Sequence, residues 1–352
     1  MKTTYKFIGI FIAIILTALL IFKFINNNIS EDKDMYTKDY YEKWKQNFVV
    51  DVDSNKSKVI DPQRNNITVS EGMGYGMLFA VALNDSVEFD KLWNFTKNYL
   101  DEYGLMNWQI GEDGKVIGEG SASDADEDIA YALHLAAKKW NNEDYSKAAS
   151  DMINSIKKYD ISSDYILLPG DKWRDNIKLN PSYIAPLYYL DFQNIEGQDK
   201  NYWKKVSETN MSLLEKYADK DTGFLPDWIK EDGTVDDQDN IVGYDSVRVP
   251  IRLLSFYKKS EDSRAKNILL KQEGFLNKIG VNNLVAGYST RGEGLQSYIN
   301  TTYLASYTSS ALIKPKSLLS KELINKLKED DDNSYYGSSL KLWILLIEEG
   351  RF

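Results

Sequence analysis

From about residue 37 onward, apolar side chains return at three- and four-residue spacing with few interruptions, the mark of amphipathic helices, while convincing strand-like alternation is scarce. Helix starts fall near Thr37, Ser70, Ser86, Ser123, Asn142, Pro181, Asp199, Tyr244, Asp262, Leu295, Lys316 and Ser334, most of them with a polar N-cap residue or a proline. These twelve helices are of two alternating kinds. The odd-numbered ones are charged on one face, as in Tyr145–Tyr159, where Lys and Asp oppose Ala, Met and Ile; that face meets water. The even-numbered ones, such as Gly72–Leu83, Ile129–Ala137 and Tyr298–Ile313, are apolar, small or aromatic nearly all round and call for enclosure. Buried and surface helices alternating six times predict an all-α fold, an (α/α)6 barrel or toroid of six inner and six outer helices, forming one domain over residues 30–352. The alternative, an irregular array or α-solenoid, would be favoured by a fixed-length repeat, and none is present.

In such a toroid the inner helices run the same way, so residues at their N-termini become neighbours despite long separations in sequence. Three of those starts carry carboxylates: Ser70-Glu71-Gly72, Ser123-Asp124-Ala125-Asp126 and Gly243-Tyr244-Asp245. The others begin Asn180-Pro181-Ser182-Tyr183, Gln296-Ser297-Tyr298 and Asn333-Ser334-Tyr335-Tyr336, adding amides, hydroxyls and rings. Any one acid there could serve only as a cap or helix-dipole partner. Three on one rim, with Trp108, Trp173, Tyr75, Tyr183 and Tyr244 nearby, suit a sugar cleft instead. Rings stack on the apolar faces of pyranoses, and carboxylates bind hydroxyls or move protons.

Composition narrows the chemistry further. The chain has no cysteine, which removes thiol nucleophiles, thiolate metal sites and disulfides. Its one histidine, His134, sits inside an apolar helical run and reads as a core residue, so serine–histidine triads and multi-histidine zinc sites are excluded. A formal charge of −10, spread along the chain, argues against nucleic acid as a partner. Asp124 with Asp126, Glu127 and Asp128 lacks the glycine-bearing pattern of a calcium loop, and no metal is expected. Gly72, Gly74 and Gly76 follow no strand of a βαβ unit and lack dinucleotide-binding spacing, so no nucleotide cofactor is expected. Close packing around Glu71 explains those glycines better.

The N-terminus stands apart. Lys2 and Lys6 precede an apolar run, Phe7–Phe22, followed by Lys23, whose stem can snorkel and let Phe24 and Ile25 extend the stretch. No small-residue cleavage pattern follows. Residues 1–29 are therefore expected to be an uncleaved membrane anchor, with a cleaved signal peptide and a secreted protein as the alternative. The lysines before the span and Glu31, Asp32 and Asp34 after it imply a single pass through the cytoplasmic membrane, with the N-terminus in the cytoplasm and the remaining chain outside the cell.

Several segments, in order and spanning about residue 37 to the C-terminus, resemble glycoside hydrolase family 8. They are Ser70-Glu71-Gly-Met-Gly-Tyr-Gly-Met77; Ala122-Ser-Asp-Ala-Asp126 followed by Ile129-Ala130-Tyr131-Ala132-Leu133; Asn180-Pro-Ser-Tyr183 with Ala185-Pro186; Tyr244-Asp245-Ser-Val-Arg248-Val-Pro250; and Tyr335-Tyr336-Gly-x-Ser339. The resemblance implies the same (α/α)6 fold and inverting hydrolysis of β-1,4-linked glycans. Carried over position by position, it implies Glu71 as general acid and Asp245 as general base, with Tyr244 beside it and Arg248 facing the carboxylates. Asp124 would bind and distort the sugar at the cleavage point, and Trp108, Trp173, Tyr183 and Tyr303 would line subsites. Inversion would require ~6.5–9.5 Å between the acid and base carboxyls, with water between them.

The expected function is thus an inverting, cellulase-like endo-β-1,4-glucanase at the outer face of the membrane. The anchor suggests a place beside a glycan synthase complex in cellulose or other exopolysaccharide synthesis. Xylan, mixed-linkage glucan and chitosan stay open as substrates. A catalytically silent glycan-binding protein and a toroidal polysaccharide lyase are the rival classes; retention of both Glu71 and Asp245 weighs against the first.

Overall fold

The computed structural model describes residues 34–173 and 178–352. The expected anchor, residues 1–29, lies outside the described residues. Among those described, no helix is long and apolar enough to cross a membrane. The chain divides into two units at Lys43/Trp44, and the second, Trp44–Phe352, holds the features that follow.

Twelve α-helices occur among the described residues. The first, α1, covers residues 34–48, and its last turn, from Trp44, belongs to the second unit. Then come α2 (Ser70–Leu83), α3 (Ser86–Thr96), α4 (Ser123–Trp140), α5 (Glu143–Tyr159), α6 (Pro186–Phe192) and α7 (Lys200–Tyr217). The series ends with α8 (Val249–Ser260), α9 (Ser263–Ile279), α10 (Thr301–Ala311), α11 (Leu318–Glu329) and α12 (Tyr335–Glu348). Every residue of α10 is buried, and α2 and α12 are nearly as enclosed, whereas α5 buries one stripe of Tyr145, Ala149, Met152, Ile153 and Ile156. The alternation read from the sequence is thus a real difference in environment.

The even-numbered helices close a ring. Contacts join α2 to α4, α6 to α8, α8 to α10, α10 to α12 and α12 back to α2. Between α4 and α6, the Tyr131 and Tyr188 rings stack at 4.0 Å and the Tyr188 hydroxyl donates to Asp128 at 2.7 Å. Outer helices cover this ring, α3 on α2, α5 on α4, α7 on α6, α9 on α8 and α11 on α10. The arrangement is the one expected of an (α/α)6 barrel.

Loop lengths explain where the site lies. Connections from inner to outer helices include two-residue turns, Asn84-Asp85, Asn141-Asn142 and Glu261-Asp262, in which Asn84, Asn141 and Glu261 adopt left-handed C-caps and Asp85, Asn142 and Asp262 cap the next helix. Return connections span 49–69, 97–122, 160–185, 218–248 and 280–300, and they carry short strands that the sequence did not signal. Those strands form four small antiparallel sheets, many members only two residues long, too short to show alternation. Long loops therefore gather at the end where the inner helices begin.

Three inner helices start later than their sequence suggests. Asn180 forms a turn in which its Oδ1 accepts from the Ser182 N–H at 2.9 Å and hydroxyl at 2.7 Å, so α6 waits for Pro186, whose ring keeps Ala185 out of the helical region. Asp245 leads into a 3-10 turn, Ser246–Arg248, before α8. Residues 295 and 298 pair through their backbones with 286 and 287, which delays α10 until Asn300 can cap it.

Candidate active site

Glu71 and Asp124 occupy the first turns of α2 and α4, and Asp245 ends the loop before the 3-10 turn. Arg248, three residues after Asp245, joins all three. Its Nη1 donates to Glu71 Oε2 at 2.5 Å and Asp124 Oδ2 at 2.6 Å, and its Nη2 donates to Asp245 Oδ1 at 3.2 Å. The Arg248 and Asp124 side chains are each 3% exposed, that of Glu71 19% and that of Asp245 31%, so the cluster runs from core to open rim. Because Glu71 and Asp245 bond one guanidinium, the two bonded oxygens lie at most about 8 Å apart, a ceiling that admits the ~6.5–9.5 Å of inverting pairs.

Opposing forces set the Glu71 proton affinity. Burial favours the neutral acid and is the largest effect; Arg248 pulls the other way, while the negative charges of Asp124, Asp128 and Asp245 reinforce burial. The result is a carboxyl raised to about 7. Burial likewise raises Asp124, against the pull of Arg248. Tyr335, at the start of α12, donates its hydroxyl to Glu71 Oε1 at 3.3 Å. That approach depends on Gly72, where a β-carbon would come within 2.8 Å of the same hydroxyl.

A second polar layer lies one helical turn deeper, because residues four apart share a helix face. Asp128 follows Asp124 on α4 and Arg252 follows Arg248 on α8. Arg252 grips both Asp128 oxygens, at 2.5 and 3.0 Å, and donates to the Tyr188 hydroxyl at 2.9 Å beneath the Trp343 ring. Asp126 turns elsewhere and accepts from the Met106 N–H at 3.1 Å.

The expected aromatic residues divide into accessible and enclosed ones. Trp108 and Trp173 are half-buried and meet edge-on at 6.1 Å. Trp108 stands next to Glu71 through its carbonyl, which accepts from the Ser70 N–H at 3.0 Å. On another arc of the rim Tyr244 is 55% exposed; its carbonyl accepts from the Tyr336 hydroxyl at 2.8 Å and its own hydroxyl accepts from Asn300 at 3.2 Å. Beyond Tyr244 and Tyr336 opens a cavity of about 540 Å³, lined also by Arg64, Asn300, Thr302 and Asp332.

Three of the expected aromatics are enclosed in this structure. Tyr303 is 5% exposed and meets the Tyr244 ring edge-on at 5.4 Å, so it backs that ring. Tyr75 is fully buried against Phe79 and Trp343, as its place one turn inside α2 requires. Tyr183, 9% exposed, lies under the Arg248 guanidinium at 5.2 Å and acts more as wall than platform.

Sequence reasoning missed Trp228, whose Nε1 donates to Asp245 Oδ2 at 2.9 Å, and Asp227 beside it. Both come from the loop after α7, where no helix start marks them. Tyr335 and Tyr336, by contrast, stand where the sequence reading puts them, at the opening of the last inner helix.

The family profile described as "Glycosyl hydrolases family 8" matches residues 15–350. The chain belongs to this family and is a glycoside hydrolase. It is 32% identical over 328 residues to Endoglucanase 2 of Ruminiclostridium josui, covering 90% of this chain and 71% of that protein. Endoglucanase A of Acetivibrio thermocellus is 33% identical over 306 residues, covering 83% and 64% respectively. Among solved structures, the apo Beta-1,3-1,4-glucanase from Paenibacillus sp. X4 matches with a TM-score of 0.85 at 27% identity, over 92% of this chain and 93% of that one.

Proposed function

We propose that this glycoside hydrolase is an endo-β-1,4-glucanase that cleaves with inversion, Glu71 acting as acid and Asp245 as base. The observation that carries the reading is the single Arg248 guanidinium shared by Glu71, Asp124 and Asp245, with Glu71 raised to about 7. Glu71 is then substantially protonated near neutral pH and gives its proton to the glycosidic oxygen as the C1–O bond breaks. Water attacks C1 from the opposite face and loses a proton to Asp245, so the new hemiacetal has inverted configuration. Asp124 hydrogen-bonds the sugar between them. Trp108 and Trp173 on one arc of the rim, and Tyr244 with its adjoining cavity on another, support binding of chain on both sides of the cut and hence internal cleavage.

Residues 34–352 incubated with β-1,4-glucan oligomers of defined length should yield saturated shorter oligomers, and Glu71→Gln should lower turnover by about 10²–10⁴-fold. Cleavage at equal rates by both proteins would remove Glu71 from the reaction; unsaturated products would indicate a lyase. A second reading, mixed-linkage β-glucan as substrate, is favoured by the likeness to the Paenibacillus glucanase. A higher kcat/KM on mixed-linkage than on β-1,4 oligomers would select it.

The apolar run Phe7–Phe22 supports an anchored enzyme with its catalytic domain outside the cell, working beside a glycan synthase in exopolysaccharide formation. Full-length protein should sediment with membranes and be cut by protease added to intact cells. Deletion that leaves exopolysaccharide yield and chain length unchanged would contradict the biosynthetic role.

A further inference from the structure

The turn that carries Asp245 is held by two consecutive residues of the loop after α7. Asp227 Oδ1 accepts from the Gly243 N–H at 2.9 Å, the Ser246 N–H at 2.8 Å and the Ser246 hydroxyl at 2.8 Å, which fastens the turn on both sides of Asp245. Gly243 has to be glycine there, because a β-carbon would overlap the Asp227 carboxylate at 1.9 Å. Trp228 then reaches the acid itself, its indole N–H donating to Asp245 Oδ2 at 2.9 Å while Arg248 holds Oδ1 at 3.2 Å. The Trp228 ring is fixed in turn by the edge-on Tyr183 ring at 5.9 Å. Asp245 has the most open carboxylate of the three, so without the indole its orientation would rest on the 3.2 Å bond to Arg248.

We propose that Asp227 and Trp228 form a positioning clamp for the general base: Asp227 fixes the backbone of the turn, and Trp228 fixes the rotation of the Asp245 carboxylate so that it faces the attacking water. The proposal rests on Asp245 being the base. Neither residue touches the reacting bond; both act through Asp245. A base displaced by about 1 Å costs on the order of 10²-fold in rate, and such a loss falls on turnover more than on binding.

The test uses oligomer hydrolysis by four proteins: wild type, Asp245→Asn, Trp228→Phe, and wild type with Trp228 replaced by β-(3-benzothienyl)alanine, which keeps the bicyclic ring and lacks the N–H. The clamp predicts that the sulfur isostere melts within a few degrees of wild type and binds oligomers with similar KM, yet turns over about 10–100-fold more slowly. Trp228→Phe should lose at least as much. Wild-type kcat in the isostere, with Asp245→Asn inactive, would overturn the clamp and leave the base assignment standing. So would a raised KM at unchanged kcat, which would make Trp228 a sugar-binding wall. Full activity in Asp245→Asn would overturn the base assignment and the clamp together.

Discussion

The cluster around Arg248 asks one positive charge to serve three acids, and at Glu71 its pull is outweighed. Burial dominates at Glu71 and three negative neighbours add to it, so the acid reaches about 7 despite a 2.5 Å bond to the guanidinium. In catalysis, kcat/KM should fall tenfold per pH unit above about 7 as Glu71 ionises, measured on a neutral oligomer; a flat profile to pH 9 would deny that Glu71 is the acid. In stability the sign is opposite to that of an ordinary salt-bridged acid. Between the unfolded value of 4.5 and the folded value of about 7 the native state holds the extra proton, so stability from this group falls as pH rises through that window. The full change is on the order of 3 kcal/mol. Glu71→Gln cannot ionise, so its melting temperature should gain on wild type from pH 4.5 to 7 and keep a constant lead above. A difference independent of pH would contradict this.

At the scale of elements, the site rests on two layers of the same helices. The upper layer is catalytic by our reading, and the lower, Asp128 with Arg252 and Tyr188, is fully enclosed. Removing one partner leaves a charge buried without compensation. Asp128→Leu should therefore lose roughly 3–5 kcal/mol of stability, while the double change Asp128→Leu with Arg252→Met should recover much of it. Denaturant titration decides between this and an additive double mutant, which would show the pair to be energetically independent. Gly243→Ala is a sharper break. The added methyl meets the Asp227 carboxylate, so the turn must move and take Asp245 with it. Turnover should fall by 10²-fold or more, with a lower melting temperature.

Across the whole molecule, the legible and illegible parts of the sequence separate on physical grounds. Helices α2, α4 and α12 begin at or beside the polar residues that precede their apolar runs, although only α12 is capped by a side chain, so the sequence alone places Glu71 and Asp124 on one rim. Asp245 lies there too, although its helix begins four residues later, because the 3-10 turn keeps the chain at the same end. Delayed starts at Pro186 and Thr301 come from side-chain and backbone pairings within loops, which periodicity does not record. Trp228 and Asp227 were invisible for the same reason: they lie in a long return loop, and their importance comes from contacts 17 and 16 residues away. The burial of Tyr303 depends on how α10 is turned against Tyr244, which its local sequence leaves open. Resemblance supplied the roles, and geometry supplied the shared guanidinium that gives those roles a physical basis. The most direct measurement is the configuration of the first-formed reducing end, followed by ¹H NMR during cleavage of a β-1,4-glucan oligomer. The account predicts that the α-anomer appears first and mutarotates toward equilibrium; initial appearance of the β-anomer would contradict inversion by Glu71 and Asp245.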